Sequence, residues 1–162
     1  MDELFGGLWH TTHPDRFKNI LKTGAILPEP DIPDRECWKT SQGKDCYPYV
    51  RILGGVSLFD FDQFDPDNYT QRCPVSSWYE FVPYQSTWGR AVWIEIDREK
   101  VAREVISASD LVVRWNQNEA YRHTIMPYIE AAHLGPVSKT AFKRAFLVCK
   151  EDDLLHALDL GI

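Results

Sequence analysis

The apolar positions of this chain fall into short runs, and the period changes from one run to the next. Leu4 to Thr11 reads as a first strand, with Gly6 and Gly7 permitting a bulge or a close backbone approach. Phe17, Ile20 and Leu21 then recur at helical spacing. Pro14 suits the first turn, because its ring already holds a helical φ, and Gly24 supplies the stop, so Pro14 to Thr23 is a helix. Ala25 to Leu27 is a short extended piece. Pro28, Pro30 and Pro33 interrupt any regular element after it, and from there to about Arg51 the chain is polar, aromatic and turn-rich, which predicts a long surface loop.

Gly54 to Phe61 is the next strand, with Val56 and Leu58 on one face and Ser57, Phe59 and Phe61 on the other. The acidic segment Asp60 to Asp67 lacks the glycine and closing glutamate of a calcium loop and reads as a solvated turn. Ser76 to Phe81 is a short helix. Ala91 to Ile96, β-branched and aromatic, is the clearest strand of all. Asp97 to Ala102 reads as one turn of helix and Leu111 to Trp115 as a strand. Thr124 to Ala131 is an apolar run with a carboxylate set into it. Ala145 to Cys149 makes a last strand and Asp152 to Leu158 a short terminal helix. Many short strands with few helices predict an α+β fold with mainly antiparallel sheet, since the regular alternation of a doubly wound fold is missing.

Composition narrows the functional classes. The 162 residues amount to one domain, 1–162, and 44 % hydrophobic with 13 % aromatic residues is too much for intrinsic disorder. A net charge of -6 gives no general basic footprint, which demotes nucleic-acid binding while leaving local basic patches open. Cys37, Cys46, Cys73 and Cys149 form no CxxC and no zinc knuckle, so they read as reduced thiols and no metal site is expected. Met1 to Leu4 lacks the basic and apolar regions of a signal peptide, and no apolar run approaches the ~20 residues that span a bilayer. A soluble cytoplasmic protein with no membrane partner is the expectation, and a signal-independent secreted effector would look the same.

Three positions carry candidate chemistry. His10 ends a strand that an amphipathic helix backs, a placement that aims a side chain into a cleft. Ser57 stands within a strand and by itself needs no function. Glu130 is the stronger signal, because an apolar run between Pro127 and Pro136 should not bury a carboxylate without a partner. An edge strand that turns Glu130 to water is the structural alternative.

In that order the three resemble the ADP-ribosyltransferase superfamily, which includes diphtheria-toxin-like enzymes, DarT-like DNA modifiers and tRNA 2′-phosphotransferases. Leu8-Trp9-His10-Thr11-Thr12, the following helix and Gly24 look like the first motif of the family. Val56-Ser57-Leu58 is similar to its second-motif strand, and Ile129-Glu130-Ala131-Ala132-His133 to its glutamate motif. The resemblance runs from His10 to about Val148 and implies a split sandwich of two packed, mainly antiparallel sheets, with NAD in the cleft between them. It implies that His10 binds the adenosine ribose with help from Thr11, and that Ser57 supports the glutamate or packs beside the nicotinamide ribose. Glu130 would be catalytic, holding the ribose 2′-OH and stabilising the positive charge that develops as nicotinamide leaves. An aromatic residue stacks on nicotinamide in the family, and Phe59, Trp78 and Tyr79 are the candidates.

The implied function is transfer of ADP-ribose from NAD to a protein or nucleic-acid acceptor, in a toxin or effector with an antitoxin or immunity protein as partner. Two departures qualify it. Family members with a motif-one histidine usually carry tyrosine where this chain has Ser57, and Tyr128 stands where arginine-modifying enzymes have a second Glu or Gln. An RNA 2′-phosphotransferase-like enzyme is one alternative, for which Arg51, Arg90, Arg114 and Arg122 are available cations. A metal-dependent nuclease using Glu95, Asp97 and the Asp60 cluster is another. A third is a non-catalytic module with Trp38, Trp78, Trp88 and Trp115 as exposed anchors.

Overall fold

The computed structural model describes residues 2–62, 64–152 and 154–161. Its centre is β1 (Leu8–Thr12), which leads directly into α1 (Pro14–Thr23). The helix begins as its sequence dictates: the His13 side chain accepts the Asp15 amide, and Pro14 occupies the first turn. It ends at Gly24, whose φ of 75° only glycine adopts without cost and whose N–H returns to the Ile20 carbonyl at 2.9 Å. The chain then forms β2 (Ala25–Ile26), a long excursion with isolated 3-10 turns, α2 (Tyr49–Ile52), β3 (Gly55–Asp60) and α3 (Pro66–Arg72). After β4 (Arg90–Ile96) come α4 (Arg98–Val101), β5 (Val105–Ile106), α5 (Ala108–Gln117) and β6 (Glu130–Leu134). The chain closes with β7 (Val137–Ser138), β8 (Phe142–Cys149) and β9 (Leu155–Leu158).

Seven strands pair antiparallel in the order β5-β6-β3-β1-β4-β8-β9, and β2 pairs antiparallel with β7 in a separate two-stranded sheet. The architecture is therefore α+β with two antiparallel sheets and short helices, as the pattern of short runs predicts. Strand parity sorts the core. Leu8, Val56, Leu58, Val92, Ile94 and Ala131 pack on one face of the large sheet with Phe17 of α1. Trp9, Phe59, Phe61, Trp93 and Ile129 form an aromatic cluster with the residues of the opposite face. Gly7 is held close to that cluster: a Cβ on it would lie 2.0 Å from Trp9 Nε1, the atom that donates to the Leu4 carbonyl.

Two predicted elements are corrected. Leu111 to Trp115 lies inside α5, not in a strand. The Ser107 hydroxyl accepts the Asp110 amide to start that helix, and only Leu111 of the apolar run is fully buried while Val113 is 51 % exposed. Helical capping thus outweighs the β-branched pair Val112-Val113. The expected terminal helix is likewise a strand over Leu155–Leu158, because β8 offers a free edge, with Ala145 opposite Leu158; residue 153 of that stretch lies outside the described residues.

Other boundaries shift. The helix at Ser76 to Phe81 shrinks to one 3-10 turn at Trp78–Glu80, and of Thr124 to Ala131 only Glu130 and Ala131 are in a strand. The acidic segment ends in a cap, since the Asp65 side chain accepts the Asp67 and Asn68 amides at the start of α3. Among the described residues no helix is long and apolar enough to cross a membrane, and the four cysteines are unpaired.

Candidate functional site

The large sheet opens at its centre. β1 and β3 face each other only at Leu8↔Asp60 and Trp9↔Phe59 before their ladder ends, while β1 stays paired with β4 through Thr12. Beyond the parting, a side chain takes the place of a backbone donor: His10 Nδ1 lies 3.1 Å from the Ser57 carbonyl oxygen. A carbonyl only accepts, so this bond assigns the proton to Nδ1 and leaves Nε2 as an acceptor in the neutral ring. Burial pushes the His10 pKa down, and the bond to Ser57 pulls weakly the other way.

On the far side of the gap, β3 runs beside β6 with Ser57 opposite Ala132 and Phe59 opposite Glu130. Ser57 and Glu130 therefore share a face on a diagonal, and the Ser57 hydroxyl donates to Glu130 Oε1 at 2.6 Å. The other carboxylate oxygen, Oε2, accepts the Met126 N–H at 2.9 Å. Met126 also receives the Glu130 N–H on its carbonyl at 2.9 Å, so the turn is closed in both directions. Tyr128 within it has φ 61°, a left-handed conformation that a bulky side chain adopts only under constraint.

Glu130 is 2 % exposed. Desolvation raises its pKa above the ordinary carboxylate value, although the bonds from Ser57 and Met126 favour the ionised form. A fully buried carboxyl with two donors and no paired cation among the described residues is an arrangement in which nearby positive charge is strongly felt.

A cavity of about 660 Å³ lies at the opening. His10, Thr11, Ser57, Phe59 and Glu130 all contribute to its wall, so five of the sequence-predicted residues come together. Tyr79 does not join them; it is 65 % exposed on the Trp78–Glu80 turn and outside the cavity lining. Trp78 packs into the aromatic core with Phe64 and Tyr69. The aromatics that line the cavity besides Phe59 include Phe81 and Trp88. Phe81 closes the stretch read as a short helix, and Trp88 lies in the loop after it, which has no periodicity from which a facing direction can be read. Thr11 Oγ1, beside this wall, is a buried hydroxyl without a hydrogen-bond partner among the described residues.

The segment after α1 covers part of the cavity. Arg51 of α2 grips it with a bidentate pair to Glu29 (2.8 and 2.7 Å) and a bond to Asp34 at 2.8 Å. The guanidinium also sits 4.2 Å from the Tyr47 ring centroid. Both carboxyls are held below their usual pKa, Glu29 first by its bond from Arg51, Asp34 first by its bond from Tyr47 and then by Arg51. A second, more open cavity of about 1080 Å³ adjoins the first and shares Thr11, Arg16, Trp38, Phe81 and Trp88 with it.

The carboxylates of the nuclease alternative have other engagements. Lys143 donates to Glu95 at 3.1 Å and Arg144 to its second oxygen; Asp97 caps α4, and Asp60 is paired with Arg98 at 2.6 Å. Of the tryptophans, Trp9 and Trp93 are fully buried and Trp38, Trp78, Trp88 and Trp115 half-buried, so none is an exposed anchor. No protein-family model matches this chain, and no curated protein matches it either.

Proposed function

We propose that the chain is an ADP-ribosyltransferase that uses NAD as donor, and that its two sheets form the split sandwich of that superfamily. The observation that carries the reading is the convergence of His10, Ser57 and Glu130 on one cavity, with Ser57 bonded to Glu130 across the strands. A volume of about 660 Å³ lies within the ~300–1,000 Å³ typical of small-molecule sites. The unpartnered Thr11 hydroxyl, the acceptor Nε2 of His10 and the aromatic walls suit a ligand with ribose hydroxyls and flat rings.

NAD supplies an activated C1′–nicotinamide bond, which breaks with its electron pair leaving on nicotinamide as an acceptor nucleophile bonds C1′ and gives up its proton. Glu130 accepts a hydrogen bond from the ribose 2′-OH and, when ionised, opposes the positive charge that develops nearby. In a site this buried the attraction is weakly screened, and Ser57 and Met126 hold the carboxylate in place before the reaction begins. His10 and Thr11 bind the other ribose. In a toxin or effector, the same cavity would be the target of an antitoxin or immunity protein.

Thermal unfolding with and without excess NAD tests the reading. A ligand at 100 times its dissociation constant that binds only the folded state adds about 2.7 kcal/mol. That is several degrees for a protein of this size. The shift is expected in the wild type and lost in His10→Ala. No shift in the wild type refutes the proposal.

A further inference from the structure

The turn before Glu130 is held from outside as well as from within. Tyr69 of α3 is 8 % exposed, with its ring packed against Phe64 and Trp78 at centroid distances of 5.3 and 6.2 Å. That packing fixes where the hydroxyl points. It meets the Pro127 carbonyl oxygen at 2.6 Å, 58 positions further along the chain. The buried Ser76 Oγ lies 2.9 Å from the same hydroxyl. A carbonyl only accepts, so Tyr69 donates to Pro127 and Ser76 donates to Tyr69.

The residue after Pro127 is the strained one. Tyr128 stands at φ 61°, and a bulky residue keeps such a backbone only where its surroundings oppose relaxation. Arg72, three residues after Tyr69 on α3, lies 5.4 Å from the Tyr128 ring centroid. The helix therefore meets two successive residues of the turn, Pro127 through its carbonyl and Tyr128 through its ring. Immediately before them is Met126, whose N–H donates to Glu130 Oε2 at 2.9 Å. Burial pushes the Tyr69 hydroxyl far above its ordinary pKa; the bond from Ser76 pulls it back, and the Cys73 thiol and the Glu130 carboxyl push it up again. Tyr69 thus stays a donor throughout the range in which a carboxyl titrates.

We infer that Tyr69 is a positioning residue for Glu130: it anchors the Pro127 carbonyl to α3 and so keeps the Met126 N–H aimed at the carboxylate. Tyr69 is not among the residues that line the inner cavity, so it acts through the backbone and touches no ligand there. The inference deepens the site described above and rests on the NAD reading only where turnover is the readout. A hydroxyl that merely satisfied the aromatic core would matter for stability and leave the Glu130 carboxyl unaffected.

Carboxyl-carbon NMR of the full chain, with the Glu130 signal assigned by its loss in Glu130→Gln, reads the titration of that group without NAD. Tyr69→Phe keeps the ring and removes the hydroxyl. Its Glu130 midpoint should rise by about half a pH unit, because a bond that favours the ionised form is weakened; losing that bond outright is worth about a unit or more. Exchange of the Met126 amide should speed up, and that of Ile94 in β4 should not. Ser76→Ala removes a buried hydrogen bond from the same hydroxyl but leaves Pro127 held. It should lower the melting temperature as Tyr69→Phe does, with the midpoint unmoved. Arg72→Ala, at an exposed position, should raise the midpoint by a smaller amount. In NAD turnover, the deficit of Tyr69→Phe should lie on the acid limb and close at high pH, whereas a loosened fold loses rate at every pH. An unmoved midpoint in Tyr69→Phe, or an equal movement in Ser76→Ala, overturns the inference. Where Tyr69→Phe does not fold, an unmoved midpoint in Arg72→Ala overturns it instead. Wild-type protein that fails to turn over NAD sinks the donor assignment alone, since the titration and the amide exchange are read without NAD.

Discussion

The Ser57 hydroxyl donates to Glu130 at 2.6 Å although the two residues are 73 positions apart in the chain. The bond crosses two adjacent strands on a diagonal, and it supplies one of the two donors of a carboxyl buried to 2 % exposure. Removing it leaves Glu130 Oε1 unsatisfied while the desolvation of the group is unchanged. Ser57→Ala should therefore raise the pKa of Glu130 further and move the acid limb of the pH–rate profile to higher pH. Turnover of NAD at neutral pH should fall about tenfold, the equivalent of one hydrogen bond to a charged group. Ser57→Thr, which keeps the hydroxyl, should restore the position of the limb. Rates measured from pH 5 to 9 check both.

Glu130→Gln separates stability from function. The pKa of Glu130 is raised by folding, so the folded state binds its proton more tightly than the unfolded chain does. Ionisation of this group therefore costs stability. The cost is absent below the unfolded carboxylate value, grows as pH rises through the folded pKa and is complete above it. Gln carries no charge at any pH. The variant should lose NAD turnover and melt higher than wild type at pH 8, and the difference should shrink as pH falls toward 4. Paired thermal scans across that range show the sign.

Gly7 has no room for a side chain. A Cβ there would lie 2.0 Å from Nε1 of Trp9, a fully buried ring in the central strand, bonded to Leu4. Gly7→Ala must displace that ring from the aromatic core beneath the site, at about 1–3 kcal/mol. Urea unfolding should show a lower midpoint with an unchanged slope, since the surface exposed on unfolding stays the same.

Arg51 fastens the segment over the inner cavity through Glu29 and Asp34. Arg51→Ala should free that segment without disturbing the sheet. Amide exchange over residues 28–34 should speed up, and exchange in β4 should not. For NAD the expected kinetic change is a higher KM with kcat less affected, because the clamp holds the wall of the cavity and not the Glu130 carboxyl.

Local structure was legible wherever a local cause produced it. Pro14 and Gly24 delimit α1 because one ring and one missing Cβ act on their own backbone, whatever surrounds them. The alternation around Val56, Ser57, Leu58 and Phe59 likewise survives folding intact, since a pleated strand must send neighbours to opposite faces. Leu111 to Trp115 was misleading for the converse reason: its β-branched residues favour a strand, and the Ser107 cap outside the run favours a helix. Leu155 to Leu158 had no decisive local signal, and the open edge of β8 made it a strand.

The candidate residues were visible as types, and their arrangement was not. A carboxylate in an apolar run announces that something must satisfy it, but not which group does so. Its partners are Ser57, brought near by the β3–β6 register, and the Met126 amide, aimed back by a turn that holds Tyr128 at φ 61°. The choice among aromatics shows the same division. Tyr79 lies in the stretch read as a short helix and Trp88 in the loop after it, and neither position tells that Tyr79 is 65 % exposed while Trp88 lines both cavities. Backbone propensity acts between neighbours along the chain, so it can be read there. A cavity is made of surfaces that meet only after distant strands have paired, and its walls are settled by register, strand parting and packing.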